Sequence, residues 1–206
     1  MSITVIIVGL YNKFIKHILI RFWNNYAVAY LKKQGAILES PKSLKFYGKT
    51  FLSISNKSLC HIGENFICHS GPSFGLEGTE SKISVKENAS LIIGDNCGIS
   101  SVILACHHNI KIGNNVNIGG GTLIMDTNFH SIDWRVRENR DEDVRRAETK
   151  PIIIGDNVFI GARCIINKGV EIGSRSIIAA GSVVVKSIPE DCIAGGNPCK
   201  VIKSLV

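Results

Sequence analysis

Acid is nearly missing from the first 50 residues, where Glu39 stands alone against Lys13, Lys16, Arg21, Lys32, Lys33, Lys42, Lys45 and Lys49. Residues 51–206 carry 16 charges of each sign, so the formal net charge of +7 belongs to that opening stretch. The body therefore lacks the basic face with interleaved aromatics that a nucleic-acid binder displays. The uncharged opening, residues 1–12, is too short to span a bilayer, and neither a transmembrane helix nor a secretory signal is expected. The seven cysteines are odd in number and include no CxxC pair, which removes the simplest disulfide and zinc-ribbon readings. A reducing cytoplasm is the expected setting, with several thiols at or near repeat positions serving as small core fillers. Proline is scarce and the composition otherwise ordinary, which predicts one ordered main domain with a small attachment.

What the chain does have is a period of six. Ile154, Ile160, Ile166, Ile172, Ile178 and Val184 follow one another at that spacing, and the same step joins Ile112, Ile118 and Ile124, and Ile93 and Ile99, with Ile62 and Cys68 a weaker copy. A helix repeats at 3.6 and a flat strand at 2, so neither alone produces this pattern. Short strands joined by tight corners do, each sending one aliphatic inward. Gly follows the inward position at Gly63, Gly94, Gly113, Gly119, Gly155, Gly161 and Gly173, where a corner needs a small or permissive residue. Asp95-Asn96, Asn114-Asn115 and Asp156-Asn157 come next, types that tolerate left-handed backbone.

This register resembles the hexapeptide-repeat acyltransferase family over roughly residues 50–203. The resemblance implies an all-β fold, a left-handed parallel β-helix, with an N-terminal amphipathic helix and one extended loop. Residues 1–35 would form the helical segment. Residues 36–206 would form the β-helix, with the loop at 131–150 and a CoA-binding C-terminal end.

In the opening segment Ile15, Ile18, Leu19, Phe22, Tyr26, Ala29 and Tyr30 trace a helical stripe, from Tyr11 to about Lys33. Open β-helix ends expose strand edges, so one expectation is a cap. The other is peripheral attachment of a basic amphipathic helix to the inner face of an anionic membrane.

The sixfold register breaks once, between Ile124 and Ile154, and the break carries His130. Its position resembles that of the catalytic histidine of the family's sugar O-acetyltransferases, such as galactoside and maltose acetyltransferases. Acyl transfer from a thioester to a hydroxyl needs a base that works near neutrality, and imidazole suits. Asp126 or Asp133 would orient it, and Gly119 to Gly121 would offer amides to a developing oxyanion. Relatives carry an acceptor-binding Asn on the preceding coil. Here Ser100 and Ser101 stand in that stretch, with Arg135 on the loop rim as a further acceptor contact.

The ending Ala179-Ala180-Gly181-Ser182-Val183-Val184-Val185-Lys186 and Gly196-Asn197-Pro198-Cys199-Lys200-Val201-Ile202-Lys203 resembles the family's donor-binding end. It implies acetyl-CoA as donor. Gly119, Gly161, Ala162, Ala180 and Phe159 would lie along its pantetheine arm, and Lys186, Lys200 and Lys203 near its phosphates. The family's sites lie between the subunits of a trimer, so a homotrimer is implied. The resulting expectation is a cytoplasmic sugar O-acetyltransferase of surface-polysaccharide synthesis, without metal or nucleic acid. The alternatives are a serine or amino-sugar N-acetyltransferase, a zinc hydratase of the γ-carbonic-anhydrase kind using His107, His108 and His130, and a non-catalytic binding solenoid.

Overall fold

The computed structural model describes residues 3–71 and 79–206. Short strands wind into a three-sided, left-handed parallel β-helix. The first face stacks Ile37–Leu38, Leu59–Ile62, Ser90–Ile93, Asn109–Ile112, Ile152–Ile154 and Glu171–Ile172. The second begins at Lys45–Tyr47 and continues through Ile67–His69, Gly98–Ser100, Asn117–Ile118, Phe159–Ile160, Ile177–Ile178 and Cys192–Gly195. Lys200–Ser204 closes that face as an antiparallel strand. The third face runs from Phe51–Ile54 through Lys82–Val85, Ile103–Cys106, Leu123–Met125 and Ile165–Ile166 to Val183–Val184.

The aliphatics at the sixfold spacing, from Ile62 to Val184, all lie in the core. Each strand also sends a second side chain inward two residues earlier: Ile152, Val158, Cys164, Val170, Ser176 and Ser182 are equally buried. Where that position is a hydroxyl, it is satisfied by backbone carbonyls, as in Thr122 Oγ1 to Gly161 O (3.1 Å) and Ser176 Oγ to Pro189 O (2.7 Å). All seven cysteines are free and buried. Burial pushes the Cys60 thiol up to about 12.

The corner between the first and second faces is held by a ladder of side chains. Asp95 Oδ1 accepts from Glu64 N (2.7 Å), Asn114 Oδ1 from Asp95 N (2.8 Å) and Asp156 Oδ1 from Asn114 N (2.7 Å). Asn96, Asn115 and Asn157 take the left-handed turn at φ of 57°, 56° and 58°. Gly94 owes its identity to close stacking, because a Cβ there would lie 2.5 Å from Asn114 Oδ1 and 2.7 Å from Gly113 O.

The helix α1 runs over Ile3–Lys33, beginning well before Tyr11. It packs on the first strands of the second and third faces. Asn24 Oδ1 accepts from Phe46 N (2.8 Å) and Tyr30 Oη from Ile54 N (3.2 Å), while Ala27 and Leu31 are buried. The helix thus caps the first coil with only one end of the stripe, Tyr30, while Ile18, Leu19, Phe22 and Tyr26 remain exposed.

Candidate functional site

The excursion leaves the solenoid after Leu123–Met125, at the corner between the third and first faces. Its two stalks are zipped together: Asn128 N donates to Glu148 O (3.0 Å), Lys150 N to Asp126 O (3.0 Å), and Thr127 bridges Thr149 in antiparallel sense. Beyond the stalks come a 3₁₀ turn, Val136–Glu138, and the short helix α2, Arg140–Arg145. Asn139 starts that helix by accepting from Asp141 N and Glu142 N, both at 3.1 Å.

The helix α2 delivers Asp143 to the histidine. His130 Nδ1 lies 2.6 Å from Asp143 Oδ2, and the other carboxylate oxygen accepts from Ser131 N at 2.7 Å. Arg137 Nη1 donates to Ser131 O (2.7 Å), fastening the same turn. The hydrogen bond from His130 holds the Asp143 carboxyl below the usual carboxylate range, against the opposing effect of burial. With Nδ1–H donating to the carboxylate, the imidazole lone pair sits on Nε2, and the side chain is 67% exposed. Phe129, immediately before, has φ of 61° and packs edge-on against His107 at 5.2 Å between ring centroids.

The two carboxylates expected to orient His130 do other work. Asp126 is fully buried and accepts from His107 N (2.7 Å), His108 N (2.8 Å) and Asn109 N (2.8 Å), tying two successive corners together. Asp133 Oδ1 accepts from Arg135 N (3.0 Å) and pairs with the Arg135 guanidinium. Asp143 was missed because it stands 13 residues after His130 in a stretch with four other acids, where spacing alone distinguishes none of them.

Among the donor-site expectations, Gly119, Gly161, Ala162 and Ala180 do come together, stacked at the corner between the second and third faces. Arg163 N donates to Gly120 O (2.8 Å) and Gly181 N to Ala162 O (2.9 Å). A Cβ on Gly119 would sit 2.5 Å from Ala162 N, and one on Gly161 2.5 Å from Ala180 N, so both glycines are demanded by the stacking itself. Phe159 is exposed on the second face beside this column. Lys200 and Lys203 are exposed on the closing antiparallel strand. Lys186 falls elsewhere, at the third-to-first corner.

Ser100 and Phe159 line a cavity of about 270 Å³ on the second face, with Ile67, His69, Asn117 and Gly119. His69 stacks on Tyr47, ring centroids 5.0 Å apart and planes 10° from parallel, and burial lowers its pKa. Ser101 does not join the cavity: it is buried, and its hydroxyl donates to Thr79 O at 2.9 Å. Arg135 lies on the excursion, its guanidinium 5.7 Å from the Trp134 ring. Among the described residues no group of His, Cys, Asp or Glu is placed to hold a metal ion.

Residues 151–186 match the family model for the hexapeptide repeat of succinyl-transferase. The galactoside O-acetyltransferase of Escherichia coli is 39% identical over 98 residues, 48% of this chain and 45% of that protein. The chain spans about half the length of the curated relatives it matches. Among solved structures, a hexapeptide-repeat-containing acetyltransferase from Vibrio cholerae is 33% identical, with a TM-score of 0.51 over 76% of this chain and 74% of that one. A maltose O-acetyltransferase from Clostridium difficile is 27% identical, with a TM-score of 0.50 over 85% and 73%.

Proposed function

The chain belongs to the hexapeptide-repeat acetyltransferase family, and from that premise we propose that it transfers an acetyl group from acetyl-CoA to a sugar hydroxyl, with His130 as general base. The observation that carries the reading is the His130–Asp143 pair: one imidazole held through Nδ1 by a carboxylate, with Nε2 left for substrate. The donor supplies a carbonyl already activated as a thioester, so no covalent acyl-enzyme is required. His130 Nε2 accepts the proton of the attacking hydroxyl, and Asp143 stabilises the imidazolium that forms. The imidazolium then returns the proton to the departing sulfur.

The residues present fit such a donor. Ala162 and Ala180 keep the second-to-third corner narrow, Phe159 offers an exposed ring beside it, and Lys200 and Lys203 supply cations for phosphates near the closing strand. The cavity with Ser100 and the Tyr47–His69 stack suits one face of a sugar ring, mostly apolar with a few polar groups. Relatives named for galactoside and maltose acetylation favour the same acceptor class.

A homotrimer, as the family resemblance implies, would reconcile where these parts lie. His130 stands at one edge of the third face and the small-residue column at the other. Five residues of extended chain, Gly121 to Asp126, separate the edges by ~16 Å. A neighbouring protomer that presents its column to this protomer's His130 completes the site. The setting we infer is cytoplasmic, where acetyl-CoA is available, in the synthesis of a surface polysaccharide.

Calorimetry with CoA and mass spectrometry of glycosides incubated with acetyl-CoA test the reading. CoA should bind, and a glycoside should gain one acetyl group on oxygen. Failure to bind CoA would return the chain to a non-catalytic solenoid, and acetylation only of amines would move it to the N-acetyltransferase alternative.

A further inference from the structure

The helix α1 has two apolar faces and the solenoid uses one. Ala27 and Leu31 are buried against the first coil, with Asn24 and Tyr30 bonded to its strand edges. On the far side Ile18, Leu19, Phe22 and Tyr26, spaced at three and four residues, are 52%, 47%, 57% and 53% exposed. A row of four large apolar side chains on one helix face is more than scattered surface hydrophobicity. The helix is 31 residues long, ~46 Å. The anchoring contacts at Asn24, Ala27, Tyr30 and Leu31 fall in its C-terminal third. No helix among the described residues is long and apolar enough to cross a membrane.

Charge selects the occupant of that face. The helix contains Lys13, Lys16, Arg21, Lys32 and Lys33 and no Asp or Glu, and Lys42, Lys45 and Lys49 follow it at the same end of the molecule. Arg21, Lys32 and Lys33 are exposed. Packing such helices from several copies against one another would bring together like charges with no acid to offset them. An anionic lipid surface offers what the helix lacks: negative headgroups for the cations and an acyl boundary for the aromatics and aliphatics.

We propose that α1 lies in the interface of an anionic membrane through Ile18, Leu19, Phe22 and Tyr26, while its opposite face caps the β-helix. The body then hangs from the membrane by its N-terminal end, within reach of acceptors at the lipid surface. The proposal is independent of the acyl-transfer reading, because it rests on the helix alone.

Flotation of the full chain with vesicles of phosphatidylcholine, with and without phosphatidylserine, tests it. The protein should float with the phosphatidylserine vesicles and be released by salt. Leu19→Ser with Phe22→Ser should reduce the floated fraction at least tenfold, and Arg21→Gln should weaken binding about fivefold. Thermal midpoint and CoA affinity should be unchanged in all of these variants, since the capping face is untouched. Absence of flotation with anionic vesicles would overturn the proposal. So would equal binding to both vesicle types, or Leu19→Ser/Phe22→Ser variants that lose oligomeric mass while still floating, which would assign the face to contacts between copies.

Discussion

Phe129 carries φ of 61°, a left-handed backbone that a bulky side chain avoids at a cost of roughly 1–2 kcal/mol. The turn it makes places His130 against Asp143, and strain next to a candidate catalytic group is where such conformations collect. The histidine stands out as a candidate in the sequence because it falls where the sixfold period stops, at a position that resembles the family's catalytic one. Its partner does not, since only the folding of Arg140–Arg145 selects Asp143 among neighbouring acids. Asp126 was misassigned for a related reason: a carboxylate near a histidine in sequence can instead be consumed by the amides of the preceding coil. Asp143→Asn should lower kcat on the order of 10²-fold and leave CoA affinity intact. The Asp143 carboxyl is held below the ordinary range, so the stability it contributes is present above the unfolded value and is lost as pH falls through the lower folded one. The excursion should therefore keep its order through neutral pH and loosen only in acid.

The elements repeat one design that the sequence displayed only in part. One inward aliphatic per strand was readable from the period. The second inward position was hidden because Val, Cys, Ser and Thr share it, and only the hydrogen bonds of Thr122 and Ser176 explain how hydroxyls are tolerated there. The glycines after the inward residue were visible too, yet at Gly94 the requirement is close approach of the next coil rather than backbone freedom. Gly94→Ala should cost about 1–3 kcal/mol, seen as a lower urea midpoint, because the atoms in the way include the Gly113 backbone. In α1 the apolar stripe is readable from the period, but the structure splits it, with Tyr30 meeting the solenoid and Ile18, Leu19, Phe22 and Tyr26 exposed. Periodicity identifies apolar faces but does not say which of two meets the body.

At the scale of the whole molecule the period implies short strands joined by corners, the family it resembles implies three faces, and the stacking of three parallel sheets agrees with both. It could not place the parts of the site relative to one another. That depends on which corner each residue occupies: His130 on the third-to-first edge, Ala162 and Ala180 on the second-to-third edge, Lys186 away from Lys200 and Lys203. On the proposed reading a single protomer holds only part of the site and a ring of protomers completes it, with the chemistry resting on one imidazole. The most direct test is turnover of acetyl-CoA by His130→Ala assembled as the native oligomer, with CoA affinity measured on the same sample. The account predicts a loss on the order of 10²–10⁴ in kcat with CoA binding retained; turnover equal to that of the unaltered protein would contradict it.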